Sequence, residues 1–386
     1  MRTKTLILFL LLLAGLVAGY VGWGRTLAAA AVAGTAPEWL QELVNAVYPR
    51  LAVEKHRFEA AFFLRKADQV VLRFALVAGL LVTGRYLLGQ RPALWVSLHA
   101  FWNRPVPAGR VRVLRVLCYA ALLFFSHEWY AELASRYGAA VFYKPLPLLR
   151  LLPAGFPPPP VLALLCGSLW VACGLAMLGR WAVWSAGAAA GLFVLLQAWL
   201  YSFEKMDHTY ALLTYAALPM PWMLAERQRA VREGQPLQAG WPLRLIQLVI
   251  GLVYLQTGLE KLLIGGPAWL HPETFRNYIY LHQAPLGMWA AGSDVLCVLL
   301  PALALAFELG FILVVFRPAW AWVFLPAGVL FHAGTYLLLG VGWYFNGWIA
   351  TYIFFIPWER LGASLVGFTD FTQRRKEGTQ RAQREE

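Results

Sequence analysis

"LRLIQLVIGLVYLQTGLEKLL", residues 243–263, is an apolar run of membrane-spanning length that ends on a Glu and a Lys side by side. A helix rises about 1.5 Å per residue, so a run of about 20 residues crosses the hydrocarbon core of a bilayer. Similar runs recur along the 386 residues, of which 60% are hydrophobic and only 14% charged. The sequence therefore predicts an all-α fold, a polytopic integral membrane helical bundle of about ten transmembrane helices. The predicted spans are 6–24, 69–89, 111–127, 161–178, 181–201, 207–224, 243–263, 288–316, 319–342 and 345–358.

The basic residues lie mostly in short connections and in the tail, and they give the chain a formal net charge of +13. Lys and Arg beside membrane spans favour the cytoplasmic side and contact anionic lipid headgroups. The main basic groups, such as Arg227, Arg229 and Arg232, fall on one side if both termini are cytoplasmic. The loop 25–68 opposes this orientation mildly, because it also carries several basic residues. We predict an integral membrane protein, with the lipid bilayer and no nucleic acid as partner.

Two of the predicted spans, 6–24 and 288–316, can each be interpreted in two ways. Residues 6–24 resemble a signal peptide, but they are long enough to span, so an uncleaved first helix is favoured. Residues 288–316 form either one tilted helix or two segments broken near Pro301.

The four cysteines lie in apolar stretches without a C-x-x-C pattern, so neither thiol redox catalysis nor a metal site is indicated.

Lys261 is the first of several ionisable residues inside predicted spans, where such residues are costly and indicate function by default. It lies near the outer end of the seventh span, where a long stem in lipid can bring the ammonium to water. Alternatively, Lys261 lies partly desolvated inside the bundle, where the neutral amine is favoured and can act as a base. Glu260 does not neutralise it, because adjacent positions of a helix do not face each other. The chemistry of the residues leaves both alternatives open.

Other polar residues in the apolar stretches raise the same choice between structure and function. His208 opens the sixth span in "YSFEKMDHTYALLTY" (201–215) and shares a helical face with Tyr215. His332 is too deep in the ninth span to reach water and needs a partner inside the bundle. Glu308 lies well inside a span and needs a partner or a proton, and pairing with an arginine or capping a broken helix would give it a structural role. Trp269 is expected at the membrane interface.

Four sequence motifs follow one another in the chain: "DHTYALL" (207–213), "GLEKL" (258–262) followed by Trp269, "FEL" (307–309) and "FHAGTYLLLGVGWYFNGWIATYIFFIPWERL" (331–361). In this order they resemble the transmembrane domain of vitamin K-dependent gamma-carboxylase. The wider bacterial family is the horizontally transferred transmembrane, or HTTM-like, domain family. "VFYKPLPLLRLLP" (141–153) is also similar to the stretch that opens that domain, and the resemblance covers residues 127–361.

The resemblance implies base chemistry at the outer face of the membrane. In the carboxylase, a lysine deprotonates a reduced naphthoquinone. The resulting anion reacts with oxygen to give a stronger base, which removes a proton from a peptide glutamate. Carbon dioxide then adds to the glutamate carbanion. The matching lysine is Lys261, and His208 and His332 match histidines that orient groups or stabilise charge. The resemblance thus implies these three catalytic residues and a menaquinone-type quinol as cofactor. We assign Trp269, Tyr215 and Glu308 as candidate cofactor-binding residues.

The departures from the family pattern leave the function open. The chain ends about 25 residues after the match, which leaves no room for the carboxylase's outer substrate domain, so a separate substrate-recognition protein is expected. Glu260 replaces a lysine, and Asp207 an asparagine. The leading hypothesis is quinol-dependent base chemistry, and the alternative is a non-catalytic membrane binding or partner protein with a lipid or quinone cavity. A transporter is less favoured, since no repeats are visible. The predicted domains are 1–126 (N-terminal membrane helices and amphipathic segments), 127–361 (carboxylase-like) and 362–386 (a polar cytoplasmic tail).

Overall fold

The computed structural model describes residues 3–48, 51, 56, 58–146, 149–150, 155–203, 209–235, 237–342 and 346–359. The predicted polar tail, residues 362–386, lies outside this part of the chain. The described residues are almost entirely helical, and the prediction of an all-α membrane protein is confirmed at that level. The chain divides into two compact units.

Unit 1 comprises Met1–Trp102 and Val141–Gly155. A π-helical turn, Tyr20–Gly24, joins its first two helices into one apolar rod with almost no buried side chain. Its helices are α1 (Thr3–Gly19), α2 (Arg25–Ala33), α3 (Glu38–Val47), α4 (Ala60–Gln90) and α5 (Pro92–Trp102).

In unit 1, α1 and α4 pack side by side in opposite directions. The hydroxyl of Thr3, at the start of α1, lies 3.0 Å from that of Tyr86, near the end of α4. Tyr20, beyond the other end of α1, donates a hydrogen bond of 3.0 Å to Asp68 near the start of α4. Arg25 contributes an ion pair of 3.3 Å to the same carboxylate. Since early residues of one helix meet late residues of the other, the pair is an antiparallel hairpin.

Unit 2 comprises Asn103–Ala140 and Phe156–Glu386 and holds every helix considered below as part of a site. Two short strands, β1 (Val106–Pro107) and β2 (Leu237–Gln238), pair antiparallel. The helices are α6 (Ala108–Ser126), α7 (Trp129–Arg136), α8 (Pro159–Leu178), α9 (Ala182–Leu200), α10 (Ala211–Ala217), α11 (Met220–Arg232), α12 (Trp241–Glu260), α13 (Pro272–His282), α14 (Pro285–Ala291), α15 (Asp294–Gly310), α16 (Leu313–Phe316), α17 (Ala321–Leu339) and α18 (Gly347–Ala350). Shorter turns are the π-helical Lys261–Gly265 and the 3₁₀ segments Tyr137–Phe142 (which continues into unit 1), Gly266–Leu270, Pro318–Trp320 and Thr351–Phe354.

Seven helical segments of the described chain are long and apolar enough to cross a membrane. The predicted count of about ten is therefore not confirmed by length and composition. The segments are Thr3–Ala33, Ala60–Gln90, Pro159–Leu178, Ala182–Leu200, Trp241–Leu270, Asp294–Phe316 and Pro318–Leu339.

Three predicted spans take a different form in the structure. The span predicted at 111–127 is the continuous helix α6, but it carries three arginines in its first half. The span predicted at 207–224 is described from residue 209 and consists of α10 and α11, divided near Pro219, because proline has no N–H to donate to the preceding turn. The span predicted at 345–358 is described from residue 346 and is formed by short elements, mainly α18 and the 3₁₀ segment Thr351–Phe354.

The long span predicted at 288–316 begins later than expected and is not broken at Pro301. The hydroxyl of Ser293 accepts a hydrogen bond of 3.4 Å from the backbone N–H of Leu296 and caps the start of α15. Pro301 lies inside α15, which continues to Gly310. Two residues then separate α15 from α16. Neighbouring helices can satisfy the backbone groups that a proline leaves without a hydrogen bond inside a membrane helix. The presence of Pro301 therefore does not determine where the helix ends.

Close packing of α12 against α15 depends on Gly258. A Cβ atom at this position would lie 2.8 Å from Cδ2 of Leu309 and 3.2 Å from Cβ of Glu308. Real Cβ atoms rarely come so close to a neighbour, so the glycine lets the two helices approach at this level. The approach brings the end of α12 next to Glu308.

Candidate functional site: a polar cavity in unit 2

A cavity of about 830 Å³ opens between the helices of unit 2. Its volume lies within the range of small-molecule and cofactor sites, about 300–1,000 Å³. Aromatic rings make up much of the wall, and a few polar groups converge on it. The lining residues are Phe124, Phe125, His127, Glu128, Trp129, Glu132, Thr209, Tyr210, Tyr254, Thr257, Lys261, Glu308, Phe331, His332, Thr335, Val341, Gly342, Asn346 and Trp348.

Lys261 and Glu308 form an ion pair at the cavity wall. The Nζ atom of Lys261 contacts Oε1 of Glu308 directly, across the close approach of α12 and α15. The ammonium of Lys261 also lies 5.4 Å from the ring centre of Trp269, within the range of a cation–π interaction. The lysine therefore points to a carboxylate inside the bundle, and this geometry fits the bundle-facing alternative better than snorkelling toward water.

Glu308 is the most buried acidic or basic side chain in the cavity wall. Its side chain is 4% exposed, and that of Lys261 is 23% exposed. The second carboxylate oxygen, Oε2, is buried and has no hydrogen-bond partner among the described residues. A buried polar atom without a partner costs free energy, so this oxygen is the atom of the pair that is available to a ligand.

His332 lies in a hydrogen-bonded chain whose direction follows from Asn346. The Oδ1 atom of Asn346 accepts from the backbone N–H groups of Trp348 at 3.1 Å and Ile349 at 3.2 Å. Its amide nitrogen is thereby left to donate to Nδ1 of His332, at 3.3 Å. Since Nδ1 accepts, the imidazole is neutral and its proton is on Nε2. This nitrogen then donates to the hydroxyl of Tyr254 at 2.9 Å.

The last residue of this series of hydrogen bonds is Tyr352, whose hydroxyl packs against a glycine. The Tyr254 hydroxyl lies 2.8 Å from that of Tyr352, and since it accepts from His332, it donates to Tyr352. The Tyr352 hydroxyl occupies the space that a side chain at position 328 would fill, so Gly328 is required for this arrangement. Tyr254 and His332 are buried, which fixes the imidazole as one wall of the cavity.

The cavity continues to an exposed edge formed by the start of α7 and the residues before it. His127 and Glu128 are exposed there, and Glu132 is half-exposed. Beneath them Trp129 is buried, and its indole Nε1 has no hydrogen-bond partner among the described residues. The deeper part of the site thus offers one unpaired acceptor, at Glu308, and one unpaired donor, at Trp129.

The structure brings together some of the residues that the sequence singled out. Lys261, Glu308 and His332 line the same cavity. Trp269 contacts the ammonium of Lys261 but is not one of the lining residues. Tyr215 is exposed on α10 and does not line the cavity either. His208 lies outside the described residues.

Tyr254, Tyr352 and Asn346 are site residues that the sequence reasoning missed. Tyrosine is common in membrane proteins, and nothing in the apolar run of α12 distinguishes Tyr254 from its neighbours. The signal for Asn346 was the "NG" at 346–347, because asparagine often caps the helix that follows it. No group of three or more His, Cys, Asp or Glu in the described part of the chain is placed to hold a metal ion.

Comparison of the chain with models of protein families, with curated proteins and with solved structures finds no match. The resemblance to the carboxylase membrane domain therefore rests on the four motifs and stays a prediction.

Proposed function

We propose that the cavity binds a quinol and that the Lys261–Glu308 pair takes up a proton from its hydroxyl group. The observation that carries this proposal is the convergence of Lys261, Glu308 and His332 on one largely aromatic cavity. The protein would belong to the carboxylase-related membrane family, with about ten spans in a bacterial plasma membrane and both termini cytoplasmic. The cavity would then open toward the outer face.

The unpaired atoms of the cavity fit a quinol. Oε2 of Glu308 can accept a hydrogen bond from a ligand hydroxyl, and Nε1 of Trp129 can donate one to a ligand oxygen. The rings of Phe124, Phe331 and Trp348 supply apolar surface for an aromatic ligand. A reduced naphthoquinone, when bound, supplies an acidic hydroxyl and two electrons for reaction with oxygen.

The ion pair divides the work of a base between two residues. Oε2 of Glu308 accepts the proton as the O–H bond of the ligand breaks, and the protonated carboxyl group is neutral. The ammonium of Lys261 then loses its counter-ion and stabilises the negative charge on the ligand oxygen. The net result equals proton uptake by a neutral lysine, which is the role that the resemblance implies for Lys261. His332, held as the Nε2–H tautomer, keeps its place in the wall.

A second candidate function is binding without catalysis. The observation that favours it is the ion pair itself, because Lys261 and Glu308 already neutralise each other. In that case the pair joins α12 to α15, and the cavity holds a lipid or quinone for a partner protein. That partner would be the separate substrate-recognition protein that the resemblance implies.

The test begins with extraction of lipids from the purified full-length protein and mass spectrometry for quinones. Oxygen-dependent oxidation of added menaquinol is then measured for the wild type, Glu308→Gln and Lys261→Ala. We expect bound quinone in the wild type and a loss of about 10²–10⁴-fold in rate for Glu308→Gln, the usual contribution of a general base. Tyr215→Phe is the matched control, since Tyr215 does not line the cavity.

Each outcome separates the two functions. Quinone binding with equal oxidation rates in all four proteins would favour binding without catalysis. A wild-type protein that neither retains quinone nor takes up added menaquinol would contradict both the quinol proposal and its non-catalytic alternative.

A further inference from the structure

Three arginines crowd together in unit 2 away from the cavity. Arg112 and Arg115 lie in the first half of α6, and Arg227 lies on α11. Each is near enough to the others for their charges to repel. The other end of α6 carries Phe124, which lines the cavity. Nine residues, or about 14 Å of helix, separate Arg115 from Phe124, so the arginine cluster is a separate site.

Arg115 is a buried cation without a described counter-ion. The residue is only 9% exposed, and its Nε atom has no hydrogen-bond partner among the described residues. The groups that act on its charge are Arg112, Arg227 and Tyr119, and none is a carboxylate. Its guanidinium lies against Gly179, the residue that ends α8. Burying a charge without a partner is costly, so this arrangement calls for an anion.

Arg110, on the same helix, shows how an arginine of this region is normally satisfied. It donates a hydrogen bond of 3.1 Å to the carbonyl of Phe354 and lies 3.6 Å from Glu359. Arg115 has no carboxylate partner among the described residues. Arg110 and Arg115 therefore differ in that only Arg110 has a described carboxylate partner.

Arg227 has the same lack, although acids lie on its own helix. Its Nε atom is buried without a hydrogen-bond partner among the described residues. Burial, and then the charge of Arg112, lower the pKa of Arg227 below its ordinary value. The nearby acids are engaged elsewhere, since Glu226 accepts from the indole of Trp241 at 3.2 Å and Glu233 pairs with Arg229 at 3.0 Å.

We propose that Arg112, Arg115 and Arg227 bind a phosphate group. Planar guanidinium groups match phosphate oxygens with paired, charge-assisted hydrogen bonds, and three of them can surround one dianion or a phosphodiester. The shared chemistry is that of a phospholipid headgroup or of free phosphate. Trp181 and Trp184, just after Gly179, are strongly exposed, as tryptophans at the membrane interface are. Their position puts the cluster at headgroup depth, where basic pockets between helices hold anionic lipid.

The experiment uses the full-length protein, delipidated in a neutral detergent. Its Tm is measured after addition of phosphatidylglycerol, of phosphatidylcholine, or of inorganic phosphate at constant ionic strength. We expect phosphatidylglycerol to raise the Tm by several degrees more than phosphatidylcholine. For Arg227→Gln we expect the half-saturating phosphatidylglycerol concentration to rise about tenfold, the value of one charge-assisted hydrogen bond.

Arg229→Gln is the matched control, because Arg229 lies two residues further along α11, is exposed and already has Glu233 as partner. It should respond to phosphatidylglycerol as the wild type does. Arg112→Gln, at an exposed position, replaces Arg227→Gln if the latter does not fold. A Tm rise with phosphate alone, lost in Arg227→Gln, would support the site and identify free phosphate as its ligand. Equal responses of Arg227→Gln and Arg229→Gln, or no response of the wild type to either phosphate source, would overturn the proposal.

Discussion

The hydroxyl of Tyr254 is hydrogen-bonded to both His332 and Tyr352, so its removal should affect both of these side chains. Tyr254→Phe leaves the ring in place but removes the hydrogen bonds of its hydroxyl to His332 and to Tyr352. Each buried hydrogen bond contributes about 0.5–1.5 kcal/mol. We expect the free energy of unfolding in detergent to fall by about 2 kcal/mol, measured by denaturant or thermal unfolding.

The control for Tyr254→Phe is Tyr215→Phe, which removes an exposed hydroxyl of the same type. Its stability should stay within experimental error of the wild type. Equal stability of both variants would show that the hydrogen bonds of Tyr254 are not formed in the folded protein.

At this scale, the sequence predicted the ionisable residues inside the apolar spans better than their partners. Lys261, His332 and Glu308 stood out because an ionisable group inside a membrane span is costly without a partner. The pairing of Lys261 with Glu308 was not predicted, because 47 residues separate the two and no local rule relates them. Tyr254 and Tyr352 gave no signal, since neutral aromatic residues carry no comparable cost.

The antiparallel hairpin of α1 and α4 can be tested by crosslinking. A Cβ atom at Gly79 of α4 would lie 3.7 Å from Cδ2 of Leu13 on α1. We expect Leu13→Cys together with Gly79→Cys to react with a short thiol crosslinker, detected by mass spectrometry of a proteolytic digest. The four native cysteines are buried, so they should contribute little background.

The matched control moves the first cysteine by one residue, to Leu12, which is 60% exposed and lies on another face of α1. Leu12→Cys together with Gly79→Cys should crosslink much more slowly. If both pairs react at the same rate, α1 rotates freely against α4 and the hairpin is not a fixed element.

At the scale of helices, apolar length predicted where most elements lie but not where they break. The spans predicted at 161–178 and 181–201 agree with α8 and α9 within one or two residues. Prolines had opposite outcomes, since Pro219 lies between two helices whereas Pro301 lies inside one. The tertiary surroundings decide which outcome a proline has, and they are not visible in a local pattern.

For the whole molecule, the division into units predicts that the carboxylase-like region is not independent. Residues 141–155 belong to unit 1, where Arg150 donates to the backbone carbonyls of Asn45 at 3.1 Å and Ala46 at 3.0 Å. A fragment of residues 103–386 removes these partners. We expect a lower yield of monodisperse protein than from the full chain, measured by size-exclusion chromatography.

Co-expression of residues 1–102 with that fragment should restore part of the yield, and this is the control for a general effect of truncation. A monodisperse fragment with the Tm of the full chain would contradict the prediction. The domain boundary predicted at residue 126 follows the extent of the sequence resemblance, whereas units 1 and 2 reflect which residues contact one another. Sequence similarity alone does not report such support, because the contacts join distant parts of the chain.

The position of Tyr352 also has a consequence for the order of events during synthesis. Tyr254 is synthesised 98 residues before Tyr352. The hydrogen bond between their hydroxyls can therefore form only after Tyr352 has left the ribosome and packed against Gly328. At about 5–20 residues per second, the ribosome needs about 5–20 seconds for this interval. During that time α12 is in the membrane with an incomplete set of hydrogen bonds. A nascent chain that stalls before Tyr352 therefore lacks the hydrogen bond between Tyr254 and Tyr352.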